Sequence, residues 1–150
     1  MKKVKKVMVF GVFDLLHPGH LNFLVQASEL GDKLIVSMAR DLNVFKTKGQ
    51  RPVDSEKYRL KNVSLLPIVD KAVLGGLKDP WPHIVKEKPD IIALGYDQGI
   101  YVGGRGKGEG KALEEELIKH GLKKTKVVRL KPHWPQVYKS NILRSKLIDK

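Results

Sequence analysis

Two rhythms of apolar residues alternate along the chain. Apolar stretches at 4–10, 34–39, 70–75, 90–95 and 126–130 read as strands, and the first, continuously apolar after its lysines, reads as a buried strand of a parallel sheet. Between them apolar residues recur every three or four positions, the period of a helix with one buried stripe. The first helix opens at Pro18, turns Leu21, Leu24, Val25 and Ala27 or Leu30 inward, and is expected to end with Gly31 at C′. Asp54 reads as the N-cap of a helix carrying Tyr58, Leu60, Val63, Leu65 and Leu66, ended near Pro67. Asp79 and Pro80 begin a short helix with Trp81, Ile84 and Val85 on its apolar face. Residues 112–120 form another, with Leu113, Leu117 and Ile118 inward and Gly121 closing it; residues 140–148 form the last. The basic stretch 45–52 reads as a loop.

Strands alternating with helices, without a composition break or an internal repeat, predict a single-domain, doubly wound α/β fold over residues 1–150. Its sheet is mainly parallel and five-stranded. A length of 150 residues suits one domain with a sizeable core.

Composition narrows the function classes. The chain has no cysteine, which removes disulfides, thiolate metal sites and cysteine nucleophiles and fits a cytoplasmic enzyme. No apolar run approaches the ~20 residues of a membrane span, and the lysine-rich start does not lead into a signal peptide. A net charge of +13 suits polyanions, either nucleic acid or small triphosphates and phosphorylated acceptors. The basic residues are spread along the chain and match no nucleic-acid-binding motif, so a nucleic-acid partner is disfavoured.

The chemistry concentrates at the end of the first apolar run. There Gly11-Val12-Phe13-Asp14 is followed closely by His17-Pro18-Gly19-His20. Pro18 suits the first helical turn, where no N–H is needed. A strand, turn and helix start aim unpaired amides and the positive helix end at an anion. His17 and His20, at i and i+3, share a face of that helix start. Phosphate is the ligand this pattern suits.

These two segments resemble the paired G-x-F-D and H-x-G-H signature of the cytidylyltransferase-like nucleotidyltransferase superfamily. The resemblance implies a Rossmann-like fold and transfer of a nucleoside monophosphate onto a phosphate acceptor, with pyrophosphate leaving. It implies that His17 and His20 are catalytic donors to the triphosphate, with Gly11, Val12, Phe13, Pro18 and Gly19 around the nucleotide. By the same resemblance Lys46 and Lys48 reach phosphates, against a plain reading as loop lysines. Arg59 lies at the active site, against a plain reading as a surface ion pair. Asp97 faces the sugar or base. Ser140 opens the last helix, where the family's longer serine/threonine run is reduced here to that one serine. A divalent cation, Mg²⁺, would bridge the phosphates, with Asp14 the only nearby carboxylate to help hold it.

The glycine-rich stretch 98–110 fails as a P-loop, because Gly110-Lys111 is followed by Ala112 and no strand runs into it. It reads as a surface loop closing over a substrate. Trp134, between Pro132 and Pro135, either stacks on a substrate ring or packs under the last helix.

Ala39-Arg40-Asp41 and the stretches 69–75, 88–98 and 126–129 resemble the small archaeal FAD synthases. That likeness implies AMP transfer from ATP to FMN. The alternative is a CTP-dependent cytidylyltransferase acting on glycerol 3-phosphate or a similar alcohol or sugar phosphate. A nucleic-acid-binding protein is the third reading. A homodimer stays open.

Overall fold

A computed structural model of the chain describes residues 3–95 and 110–131. The strands are β1 (Lys6–Gly11), β2 (Lys33–Met38), β3 (Lys71–Leu74), β4 (Ile91–Leu94) and β5 (Lys126–Arg129). The helices are α1 (Pro18–Ser28), α2 (Asp41–Lys48), α3 (Glu56–Ser64), α4 (Trp81–Glu87) and α5 (Gly110–Lys119). The strands form one sheet in the order β3-β2-β1-β4-β5, and every neighbouring pair is parallel. The expected doubly wound sheet is therefore present. Strand order reverses between β1 and β4, and ligands of such sheets bind at the carboxyl ends beside that reversal. β1 ends there, at Gly11.

The period of two along each strand divides the core. Val7 and Val9 of β1, with Leu34, Val36 and Met38 of β2, face Leu24 and Ala27 of α1 and Val63 of α3. Met8, Ile35, Ile92 and Leu94 face the other way, under Trp81 and Ile84 of α4 and Leu113 and Leu117 of α5. Register holds β1 to β2 along its whole length, from Lys6 opposite Lys33 to Gly11 opposite Met38.

Several local expectations are corrected. Leu21 and Val25 lie on the exposed side of α1, as do Tyr58 and Leu65 around α3 and Ile118 on α5. A single helix packed on one sheet face buries a narrower stripe than the apolar pattern suggests. Gly31 is not a left-handed C′ residue. A Cβ at Gly31 would lie 2.8 Å from both the Lys5 carbonyl oxygen and Val7 Cγ2, so close backbone approach is what requires glycine there. The first half of the basic stretch expected as a loop, residues 45–48, is the end of α2, which Gly49 closes at φ 75°. Only Val44 of α2 is buried, too little to imprint a period. Ser55, not Asp54, caps α3, its hydroxyl accepting from the Tyr58 amide at 3.3 Å. Gly121 does close α5 as expected: φ is 82°, its N–H donates to Ile118, and the Leu122 N–H reaches back to Leu117.

Candidate active site

Beyond β1 the backbone makes a turn that most side chains resist. Phe13 and Leu15 both take left-handed conformations, φ 52° and 54°, which costs about 1–3 kcal/mol for each non-glycine residue. Phe13 folds back so that its ring is buried, and Gly11 leaves it room, since a Cβ there would lie 2.7 Å from the ring. The Phe13 ring meets His20 edge-on at 5.7 Å.

His17 is the N-cap of α1, with extended backbone. Its Nδ1 accepts from the Gly19 amide at 3.0 Å and the His20 amide at 3.4 Å, while His20 Nδ1 accepts from the His17 amide at 3.3 Å. Two histidines thus build the reciprocal capping arrangement usually made by Ser or Thr with Glu or Gln. Their rings stack, with centroids 3.7 Å apart. The amides expected to await an anion are instead satisfied by the His17 ring. A backbone N–H can only donate, so both Nδ1 atoms are unprotonated and each neutral imidazole carries its proton on Nε2. Burial lowers His17 below the ordinary histidine range. His20 is pushed down to about 3 by burial and by the adjoining His17, with Asp14 pulling the other way. The pair therefore offers neutral N–H donors rather than positive charge at pH 7.

Asp14 and Arg59 do not stand where the sequence expectation put them. Asp14 is 5% exposed, and its two oxygens accept from the Val53 amide at 2.6 Å and the Asp54 amide at 3.0 Å. Arg59 is fully buried, neither a surface ion pair nor a side chain open to a nucleotide. It donates to the carbonyls of Val12 at 2.7 Å, Ala39 at 3.0 Å and Asp54 at 3.1 Å, and to Asp41 Oδ1 at 2.6 Å. Burial raises Asp41, but the bond from Arg59 and the Glu56 amide outweigh it and hold its carboxyl below the usual range. Arg40 pairs with Glu56 at 2.9 Å beside it. This network went unread because its members come from three elements, and charge alone does not mark a buried residue.

Lys46 and Lys48 are exposed on the last turn of α2. Val12 lies in the turn before the histidine pair, Pro18 is the first residue of α1 between the two histidines, and Gly19 lends its amide to the cap. Asp97, Ser140, Trp134, helix 140–148 and, apart from Gly110, the glycine-rich stretch lie outside the described residues. Among the described residues no group of three His, Cys, Asp or Glu could hold a metal. Asp14, the carboxylate expected to help hold a cation, turns both oxygens to backbone amides.

A histidine-capped helix start beside the reversal of a doubly wound parallel sheet defines a nucleotidyltransferase-type site. Residues 8–146 match the cytidylyltransferase-like family, and the chain belongs to it. The FAD synthase of Methanosarcina barkeri is 50% identical over 117 residues, covering 78% of this chain and 77% of that protein. The FAD synthase of Thermococcus sibiricus is 43% identical over 154 residues, covering 100% of this chain and 95% of that protein. The solved structure of a lipopolysaccharide core biosynthesis protein from Thermoplasma volcanium superposes with a TM-score of 0.77 at 37% identity. It covers 87% of this chain and 99% of that one. No helix among the described residues is long and apolar enough to cross a membrane.

Proposed function

We propose that this chain is an FMN adenylyltransferase, transferring AMP from ATP to FMN to give FAD and pyrophosphate. The observation that carries the reading is the His17–His20 pair, two neutral imidazoles locked with Nε2–H as donors at the sheet's ligand edge. The names of the relatives supply the acceptor and the base. A phosphate oxygen of FMN attacks the α-phosphorus of ATP in line. The new P–O bond forms as the bond to the bridging oxygen breaks, and pyrophosphate leaves with the electron pair. Charge grows on oxygens that the imidazole N–H groups can meet without reorganising. Lys46 and Lys48 supply the positive charge the neutral histidines lack, Asp97 serves the sugar or base, and Ser140, the remnant of the family's serine/threonine run, serves a phosphate. Mg²⁺ would come with the triphosphate, as this ion commonly does, and no described residue is assigned to it. The use of ATP and FMN supports a cytoplasmic activity, and a homodimer is the arrangement to test by sedimentation.

The test is the purified chain with ATP or CTP against FMN or glycerol 3-phosphate, with products separated by chromatography. FAD and pyrophosphate from ATP and FMN alone support the reading. A cytidylylated product from CTP would overturn it.

A further inference from the structure

The strained turn is tied to residues 53–59. Asp14 receives the Val53 and Asp54 amides, while the Arg59 guanidinium reaches back to the carbonyls of Asp54 and Val12. The Asp54 peptide is held twice, its N–H by Asp14 and its carbonyl by Arg59. Val12, Arg59, Asp54 and Asp14 thus form a hydrogen-bonded ring closed around Phe13, one of the two left-handed residues. Strained backbone persists where its surroundings over-determine it, and this ring does so. From it Phe13 extends its ring to the edge of His20. A further bond of Arg59, to Asp41 Oδ1, fixes the first residue of α2, the helix whose last turn carries Lys46 and Lys48.

We propose that Asp14 and Arg59 are positioning residues, a buried clamp that holds the 12–15 turn in its strained form and sets the His17–His20 pair against the basic end of α2. The proposal rests on the adenylyl-transfer reading for its kinetic test, but not for its spectroscopic one. Neither side chain is open to a ligand, so both act through the residues they hold. Asp14→Ala removes the acceptor of two amides. Asp14→Asn keeps one carbonyl oxygen. Arg59→Lys keeps a charge but cannot reach four acceptors at once.

The experiment compares these variants of the full chain with the wild type by FAD formation, thermal melting and ¹⁵N–¹H spectra of the imidazoles. In Asp14→Ala, kcat should fall about 10²-fold, the scale of an ångström of misplacement at a reacting centre. Asp14→Asn should recover part of that loss, and both Asp14→Ala and Arg59→Lys should lose the fixed Nε2–H signature of His20. If Asp14→Ala does not fold, the milder Asp14→Asn and Arg59→Lys decide, read below their melting temperatures. Folded variants with wild-type kcat or an unchanged His20 signature would overturn the clamp. So would an Asp14→Ala defect rescued by excess Mg²⁺ with the imidazoles unaltered, which would make Asp14 a metal ligand. A wild type that makes no FAD would sink the proposed reaction, while the imidazole spectra would still judge the clamp.

Discussion

Acid is the sharpest probe of the histidine pair. A histidine in the unfolded chain titrates near 6.5, whereas burial, then the adjoining His17, push folded His20 down to about 3 against the pull of Asp14. Between those values the unfolded chain takes up a proton that the native chain refuses. Stability is therefore complete above 6.5 and declines as the pH falls through that window. One such group contributes a slope of about 1.4 kcal/mol per pH unit. Between pH 6.5 and about 4.5, His20 alone should remove about 2–3 kcal/mol, a large share of a small domain's stability. His17 and His83, both lowered first by burial, act in the same direction. Asp41 and Asp90 also sit below their ordinary value of 3.8, but their stabilisation is lost only below about that pH, so the two windows separate. The assay is urea unfolding followed by tryptophan emission at intervals from pH 8 to about pH 4.5, in the wild type and in His20→Asn. The wild-type slope should flatten in the variant. A wild-type stability unchanged from pH 7 to about pH 5, or a His20 resonance titrating near 6.5, would refute the reasoning.

Other outcomes follow from named contacts. His17→Ala should lower kcat for FAD formation by about 10²–10³ through loss of one transition-state donor, and calorimetry should also register about 1 kcal/mol for the missing helix cap. Lys46→Ala and Lys48→Ala should raise the KM for ATP several-fold, more at low salt than at high, with melting temperature unmoved because both side chains are exposed. Gly31→Ala should destabilise by about 1–3 kcal/mol in urea titrations, because its Cβ meets the Lys5 carbonyl and Val7, while kcat stays at the wild-type level.

The sheet was legible in the sequence because its central strands β1, β2 and β4 are buried on both faces, and burial on both faces leaves an apolar run. The start of α1 was legible for an equally local reason: Pro18 and the cap residue before it declare a helix within a few positions. Gly121 likewise ends α5 through a left-handed turn that one residue can announce. The signature histidines could be singled out by spacing, though not what they bond.

What the tertiary structure decided depends on atoms far apart in the chain. Asp54 has the side chain of an N-cap, yet its amide goes to Asp14, 40 residues away, and Ser55 caps α3 instead. Gly31 is needed by Lys5 and Val7 across the β1 edge, not by the helix it follows. Residues 41–48 become helical although their sequence buries only Val44, because Asp41 is held at the helix start by Glu56 and Arg59 of the next helix. Arg59 has no sequence mark separating it from a surface arginine. Only the convergence of Val12, Ala39, Asp41 and Asp54 supplies enough acceptors to let a guanidinium leave water. Periodicity carries what each element does alone, and long-range hydrogen bonds decide which polar groups are buried and which remain for a ligand.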